Sequence, residues 1–219
     1  MEYALYAYFT HIITFWSIGG LFFYLDYISE NNNNLNKYKI RKNKIDWKFY
    51  ASTAVDVLTT HLVVTLPFNI LISPLWEYFG CTWDSNNYRL LNIVIILCIE
   101  EVLFFYLHYI FHKNRTLYKH IHKKHHEWID PVAISALYAH PVEIIVCNYL
   151  PIIIGFFVTS LNFYYVLFII SIGTINALYV HSGYMLINRK KKTTHYQHHI
   201  IYNKQYGVFG ILDRLHKTN

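Results

Sequence analysis

The sequence predicts an all-α integral membrane protein with about four to five transmembrane helices. Two observations carry this. Of 219 residues, 54% are hydrophobic and only 15% are Asp, Glu, Lys or Arg, against roughly 25% charged in an ordinary soluble domain. Such a chain cannot cover its apolar side chains with charge, which argues against disorder, a coiled coil or a free-standing soluble enzyme. The second observation is layout. Apolar stretches run through residues 3–27, 50–76, 90–111, 142–158 and 163–180, and about 20 mostly apolar residues make one helical crossing.

The stretch 3–27 follows Met1-Glu2 with no basic leader and no small-residue cleavage site, so it reads as a retained span. Residues 28–49 hold the run Asn31–Asn34 and six basic residues, Lys37, Lys39, Arg41, Lys42, Lys44 and Lys48, and read as a solvated loop. The stretch 50–76 is the second span. Beyond it, residues 77–89 carry one basic residue, Arg89. The third span, 90–111, opens on residues 113–139 with five Lys or Arg, and the tail 182–219 holds seven more. Alternate connections of a five-span chain therefore put 18 of 19 basic residues on one side. By the positive-inside rule that side is cytosolic. The same alternation argues against reading the net charge of +6 as a nucleic-acid surface. Stretches 142–158 and 163–180 are short and joined by Thr159, Ser160, Leu161 and Asn162, so they are expected to form a hairpin that crosses incompletely. Cys81, Cys98 and Cys147 are odd in number and far apart, and imply no disulfide framework. The chain divides on this reading into a two-span anchor with a basic cytosolic loop, 1–89, and a catalytic part, 90–219.

Histidines carry the chemistry. Eleven of the fourteen lie between positions 108 and 199. His108 and His112 are four apart, on one face where the third span ends. His122, His125 and His126 repeat the spacing, and so do His195, His198 and His199. On an α-helix the second set shares one face, and His120, about 200° from His122, points to solvent. Neutral imidazole ligates iron, zinc and copper alike. Eight are too many for one ion, since structural zinc takes four ligands and catalytic zinc usually three. A cytosolic helical cap holding two metal ions in an all-imidazole shell accommodates them, and a dinuclear iron centre for oxygen chemistry fits best. Surface histidines in basic loops are the bland alternative, and three matched clusters on one side argue against it.

The pattern HxxxH, HxxHH, HxxHH after hydrophobic spans resembles the fatty acid hydroxylase/sterol desaturase superfamily of membrane non-haem di-iron enzymes. Local words agree over roughly residues 90–216: Leu117-Tyr118-Lys119, His125-His126-Glu127, Tyr138 to Glu143, His181-Ser182-Gly183-Tyr184, Tyr206-Gly207 and Leu212-Asp213-Arg214-Leu215. The words at 138–143 and 181–184 look most like C4-methylsterol oxidases. Tyr196 stands where relatives often carry Asp, and His216-Lys217-Thr218 where they usually end in Gly-Thr.

The resemblance implies an O2-dependent enzyme that hydroxylates or desaturates a lipid C–H bond, of sterol type by the words it shares with C4-methylsterol oxidases, in an endoplasmic-reticulum-type membrane. It also implies iron ligands at the eight histidines, with O2 as co-substrate. The eight glycines include no GxGxxG word. The electrons are then expected from outside, from a b-type cytochrome and its NAD(P)H reductase. His181, ending the last span, is assigned as a ninth ligand. His140 precedes Pro141 and suits a ligand, a donor or a helix start equally. His11 and His61 are expected to be buried, hydrogen-bonded structural groups, and His216 to be solvated. Glu101 shares a helical stripe with His108 and His112. It either serves the site or hydrogen-bonds, protonated, to another span. Competing readings are an acyl-chain hydroxylase or desaturase, a catalytically dead relative, and a membrane metal-binding protein or transporter. The absence of repeats counts against transport.

Overall fold

The computed structural model describes residues 1–30, 35, 38–41, 43–87, 89–185 and 194–219. The expected Asn31–Asn34 loop and the basic residues Lys37, Lys42 and 189–192 lie outside them. The described chain is helical, and its one trace of β-structure is an isolated bridge between Lys39 and Tyr184. In order the helices are α1 (Glu2–Ser29), α2 (Trp47–Tyr78), α3 (Leu90–Lys113), α4 (Arg115–His120), α5 (Pro141–Thr159), α6 (Phe163–His181), α7 (Thr194–Ile201) and α8 (Ile211–Leu215). Five of these, α1, α2, α3, α5 and α6, are long and apolar enough to cross a membrane.

Helices α5 and α6 depart from the expected incomplete hairpin. Each has 19 residues, about 28 Å of rise, against a hydrocarbon core of about 30 Å. The apolar runs stop short of them because Pro141, Thr159 and His181 belong to the helix ends while interrupting the hydrophobic pattern. Asn162 makes the tight connection possible. Its side chain accepts from Tyr164 N at 3.0 Å to cap α6, and Ser160 takes a left-handed φ of 46° to end α5. Elsewhere Asp46 caps α2 through Lys48 N and Phe49 N, and Asn114 caps α4 through Thr116 N and Leu117 N.

The spans are apolar all round, so each exposes hydrophobic side chains, among them Ile13, Leu71, Leu90 and Val158. In water this would be a liability; in lipid it is the ordinary outer surface. Between the spans, packing is close. A Cβ on Gly155 of α5 would lie 3.2 Å from the Ile96 Cα of α3, so glycine sets that approach. A buried core of Phe15, Val57, Ile134 and Leu178 joins α1, α2 and α6 to the segment above them.

The two ends of the bundle differ. At one end the 77–89 connection wraps the α5–α6 turn. Asn162 Nδ2 donates to Trp83 O and Ser85 O, Ser85 Oγ to Ser160 O, and Asn87 Nδ2 to Thr159 O. Arg89 lies here. At the other end α3 carries His112 in its last turn and α6 finishes in His181. There the chain builds a cap from α4, two 3-10 turns (His122–Glu127 and Ala133–Leu137), α7 and α8.

Candidate metal centre

The second histidine set is not α-helical. Helix α4 stops at His120, Ile121 leaves helical geometry (φ −120°, ψ −65°), and His122–Glu127 continue as a 3-10 helix. The expected outcome for the side chains survives this change: His122, His125 and His126 are buried and His120 is exposed.

Nine histidines converge in two groups. His108, His112, His122, His126 and His198 form one, and His125, His181, His195 and His199 the other, with candidate ligand atoms within 4.8 Å of one another in each. These are all nine positions singled out from sequence. The sorting follows spacing. Every i, i+4 pair stays together: His108 with His112, His122 with His126, His195 with His199. The middle member of each HxxHH crosses over, His125 to the group of four and His198 to the group of five.

Outer hydrogen bonds orient the rings. Nδ1 of His108 meets Tyr206 O at 2.8 Å, that of His125 meets Tyr138 O at 3.3 Å, and that of His181 meets Ala177 O at 2.7 Å. His198 Nδ1 lies 2.6 Å from Lys204 O and His199 Nδ1 3.0 Å from Trp128 O. A carbonyl can only accept, so each Nδ1 carries the proton and, in a neutral ring, Nε2 carries a bare lone pair. Burial and then the neighbouring imidazoles push His125 down to about 4 and His122, His126, His195, His198 and His199 well below the ordinary histidine range. At neutral pH these rings are uncharged, the form that ligates.

That arrangement fits a cation. His125 Nε2 and His181 Nε2 face each other at 3.4 Å with no proton to share. In the other group Nε2 atoms lie 2.7 Å apart for His122 and His112, 3.0 Å for His126 and His122, 3.1 Å for His198 and His126, and 3.2 Å for His108 and His122. His108 and His122, each with its proton held on Nδ1, turn bare Nε2 lone pairs toward each other, and these repel unless positive charge lies between them. Ligands on a metal at about 2.1 Å are about 3.0–3.4 Å apart, depending on geometry. The Nε2 atoms of His195 and His199 are buried without a hydrogen-bond partner, as open ligand positions are.

Three buried carboxylates surround the imidazoles. Glu143 Oε1 holds His122 Nδ1 at 2.8 Å. Sequence reasoning missed this role, although a carboxylate inside an apolar span was the signal that drew attention to Glu101. Glu101 is bonded to neither metal group nor another span. Its oxygens accept from Phe209 N, Ile211 N and Leu212 N, pinning the C-terminal segment to α3. Asp213 accepts from Tyr206 N and Gly207 N. Tyr196, standing where an Asp was noted in relatives, donates its hydroxyl to Asp130, so a carboxylate still reaches this helix from another segment.

The remaining histidines lie apart. His140 accepts from Val142 N through Nδ1 and caps α5. His216 is exposed, yet it stacks on Phe105 and bonds Tyr106 OH at 3.0 Å rather than standing free in solvent. His11 is hydrogen-bonded as expected, with Nδ1 3.0 Å from Thr174 Oγ1. His61 is buried, but neither ring nitrogen makes a hydrogen bond, contrary to expectation.

Residues 93–218 match the family profile described as fatty acid hydroxylase. The chain is 35% identical over 212 residues to the "Fatty acid hydroxylase domain-containing protein 2" of Macaca fascicularis, covering 94% of this chain and 63% of the relative. It is 31% identical over 207 residues to "Fatty acid hydroxylase ahd1" of Mycosarcoma maydis, covering 91% and 53%. It is 28% identical over 130 residues to "Methylsterol monooxygenase 1" of Gallus gallus, covering 57% and 42%. The chain thus spans less than two thirds of the length of each of these relatives. No solved structure matches it.

Proposed function

This chain belongs to the fatty acid hydroxylase family, and on that premise we propose that it is a membrane-bound, O2-dependent oxidoreductase acting on a lipid C–H bond through two iron ions. The observation that carries the reading is the sorting of nine imidazoles, all buried or half-buried, into groups of five and four, with the bare nitrogens of His125 and His181 facing one another. His108, His112, His122, His126 and His198 hold one ion. His125, His181, His195 and His199 hold the other. Imidazole accepts several metals, so the choice of iron rests on chemistry: zinc has no redox activity, and O2 reduction needs it.

Bound there, iron supplies reductive O2 activation, with the balance R–H + O2 + 2 electrons + 2 protons giving R–OH + H2O. The chain supplies position. Backbone carbonyls fix ring tautomers, and Glu143 strengthens His122 as a ligand. Residues 90–219 contribute all nine imidazoles and 1–89 serve as the membrane anchor. Because α3 carries His112 in its last turn and α6 ends in His181, an apolar lipid enters from the bilayer and meets the site at its rim.

The basic residues Lys113, Arg115, Lys119 and Lys123 lie at the histidine end and Arg89 at the other, which supports a cytosolic site; the endoplasmic-reticulum-type membrane rests on the family resemblance alone. That basic face receives the external electron donor, a b-type cytochrome with its NAD(P)H reductase. The substrate is sterol-type. Support comes from the words at 138–143 and 181–184 and from the similarity to a methylsterol monooxygenase.

Metal analysis of purified protein, combined with lipid profiling of expressing cells, tests the reading. Two irons per chain and an oxidised 4-methylsterol are expected. One metal or none in active protein overturns the two-ion centre, and an oxidised acyl chain without a sterol product overturns the substrate.

A further inference from the structure

The peptide unit joining Tyr206 to Gly207 faces two ways. In a trans peptide the N–H and C=O point in opposite directions. Here Gly207 N donates to Asp213 Oδ2 at 2.8 Å, while Tyr206 O accepts from His108 Nδ1, also at 2.8 Å. A carboxylate on one side and an imidazole on the other clamp a single peptide plane.

The surrounding backbone is turned the same way. Tyr206 N donates to Asp213 Oδ1 at 2.8 Å, and Phe209 N, Ile211 N and Leu212 N donate to Glu101 at 2.8–3.1 Å. Five amides within seven residues therefore point at two carboxylates, which are only 1% and 3% exposed. Gly207 lies between them. A Cβ there would lie 2.8 Å from Glu101 Oε1 and 3.1 Å from Asp213 Oδ2, so any side chain would push these carboxylates off the amides they hold. The same segment offers Lys204 O to His198 Nδ1 at 2.6 Å. Gln205 and Tyr202 hold left-handed φ angles of 63° and 69°, a conformation that costs energy and persists where surroundings enforce it.

We propose that Asp213 and Glu101 are positioning residues for the five-imidazole group, acting through the backbone of residues 204–212 to aim the Tyr206 carbonyl at His108. This rests on the metal reading above. An N–H bonded to a carboxylate polarises its peptide and makes the carbonyl a stronger acceptor. The carbonyl in turn fixes the His108 tautomer and strengthens it as a ligand. Two divalent ions among neutral imidazoles carry four uncompensated positive charges. Asp213 places negative charge one peptide away from His108, and Glu101 adds a second charge while holding the turn that follows, neither occupying a ligand position. Among the described residues neither has an ion-pair partner of its own.

The test compares full-length wild type with Asp213→Asn and Glu101→Gln, each nearly isosteric and each lacking the charge and one acceptor. Metal per chain is measured, together with the visible spectrum after cobalt loading and amide exchange in the metal-free proteins. Wild type should bind two ions. Asp213→Asn should fall toward one, with a changed cobalt spectrum and Tyr206 and Gly207 amides exchanging at least tenfold faster; Glu101→Gln should free the amides of 209, 211 and 212. Thr218→Val removes another Asp213 partner (2.7 Å) without touching the peptide, and should keep both ions. Wild-type exchange is informative even if a variant misfolds: fast exchange at 206 and 207 in folded wild type overturns the proposal. So does Asp213→Asn with two ions and an unchanged spectrum. Wild type that binds no metal overturns the proposed function instead.

Discussion

His122 and Glu143 form a buried imidazole–carboxylate pair, with Nδ1 2.8 Å from Oε1 and both side chains almost without exposure. Neighbouring Nε2 atoms crowd the other edge of the same ring, at 2.7–3.2 Å. The carboxylate therefore holds the proton side while the bare side faces its companions.

The first prediction follows from that pair. Glu143→Leu should weaken metal retention and turnover by roughly 10–100-fold, the usual effect of removing such a partner. Glu143→Gln keeps an acceptor for Nδ1 and should lose less. Equal metal content in wild type and Glu143→Leu, measured after dialysis against a chelator, sinks the orienting role.

A second prediction separates ligand from bystander within one short segment. His125→Ala removes a member of the four-imidazole group and should abolish retention of one ion and all turnover. His120→Ala should leave both nearly intact, since an exposed side chain usually changes stability by no more than about 0.5 kcal/mol. Both variants lose one histidine from the same stretch, so composition is controlled. Equal loss of metal in the two would show that the assignment of His125 is wrong.

Much of this was legible beforehand, for physical reasons that differ by residue. Spans are set by a single variable, the length of apolar chain, so the predicted 90–111 sits inside α3, Leu90–Lys113. Six of the nine imidazoles were legible because i, i+4 spacing places two rings on one face of a helix, His125 and His198 because the HxxHH word repeats, and His181 only because it ends the last span. What spacing could not reveal is which group each middle histidine joins, since His125 and His198 cross between groups by tertiary packing. The 3-10 turn at His122–Glu127 was missed because its sequence has no proline or glycine to announce the break at Ile121. Glu143 and Asp213 stand in the sequence only as parts of short words; their roles depend on partners 21 and 6–7 residues away that no local pattern encodes.

Removing the metal gives a third prediction. Without positive charge, the bare nitrogens of His125 and His181 face each other at 3.4 Å and those of the five-imidazole group stand closer still. The cap should loosen to relieve that repulsion while the far end of the bundle stays as it is. Hydrogen exchange after chelation should rise in residues 122–127 and 194–201. It should remain unchanged in 81–87 and 159–163, where Asn162 and Ser85 hold the turn. A uniform rise at both ends, or none in the cap, contradicts a metal-dependent centre.

The last prediction concerns two histidines midway along their spans, with opposite consequences. His11 belongs to a hydrogen-bonded chain across four helices: Thr65 Oγ1 lies 2.9 Å from Tyr149 OH, which lies 3.5 Å from His11 Nε2, and His11 Nδ1 lies 3.0 Å from Thr174 Oγ1. Thr174 donates its own hydroxyl to Ile170 O, so it accepts from His11 and fixes that ring's tautomer. His61 is packed beside it, ring centroids 5.3 Å apart, with both nitrogens buried and unbonded in the π-helical turn His61–Thr65. Replacing His11 by Leu breaks the chain, taking one bond each from Tyr149, which keeps Thr65, and from Thr174, which keeps Ile170 O. Interhelical bonds of this kind are worth about 0.6 kcal/mol each on average, so a loss of about 1 kcal/mol is expected. Replacing His61 by Leu removes two unsatisfied polar atoms from the same interior and should leave stability unchanged or raise it. Thermal unfolding of both variants in lipid nanodiscs decides the matter: a His61→Leu protein less stable than His11→Leu would show that His61 has a polar partner after all.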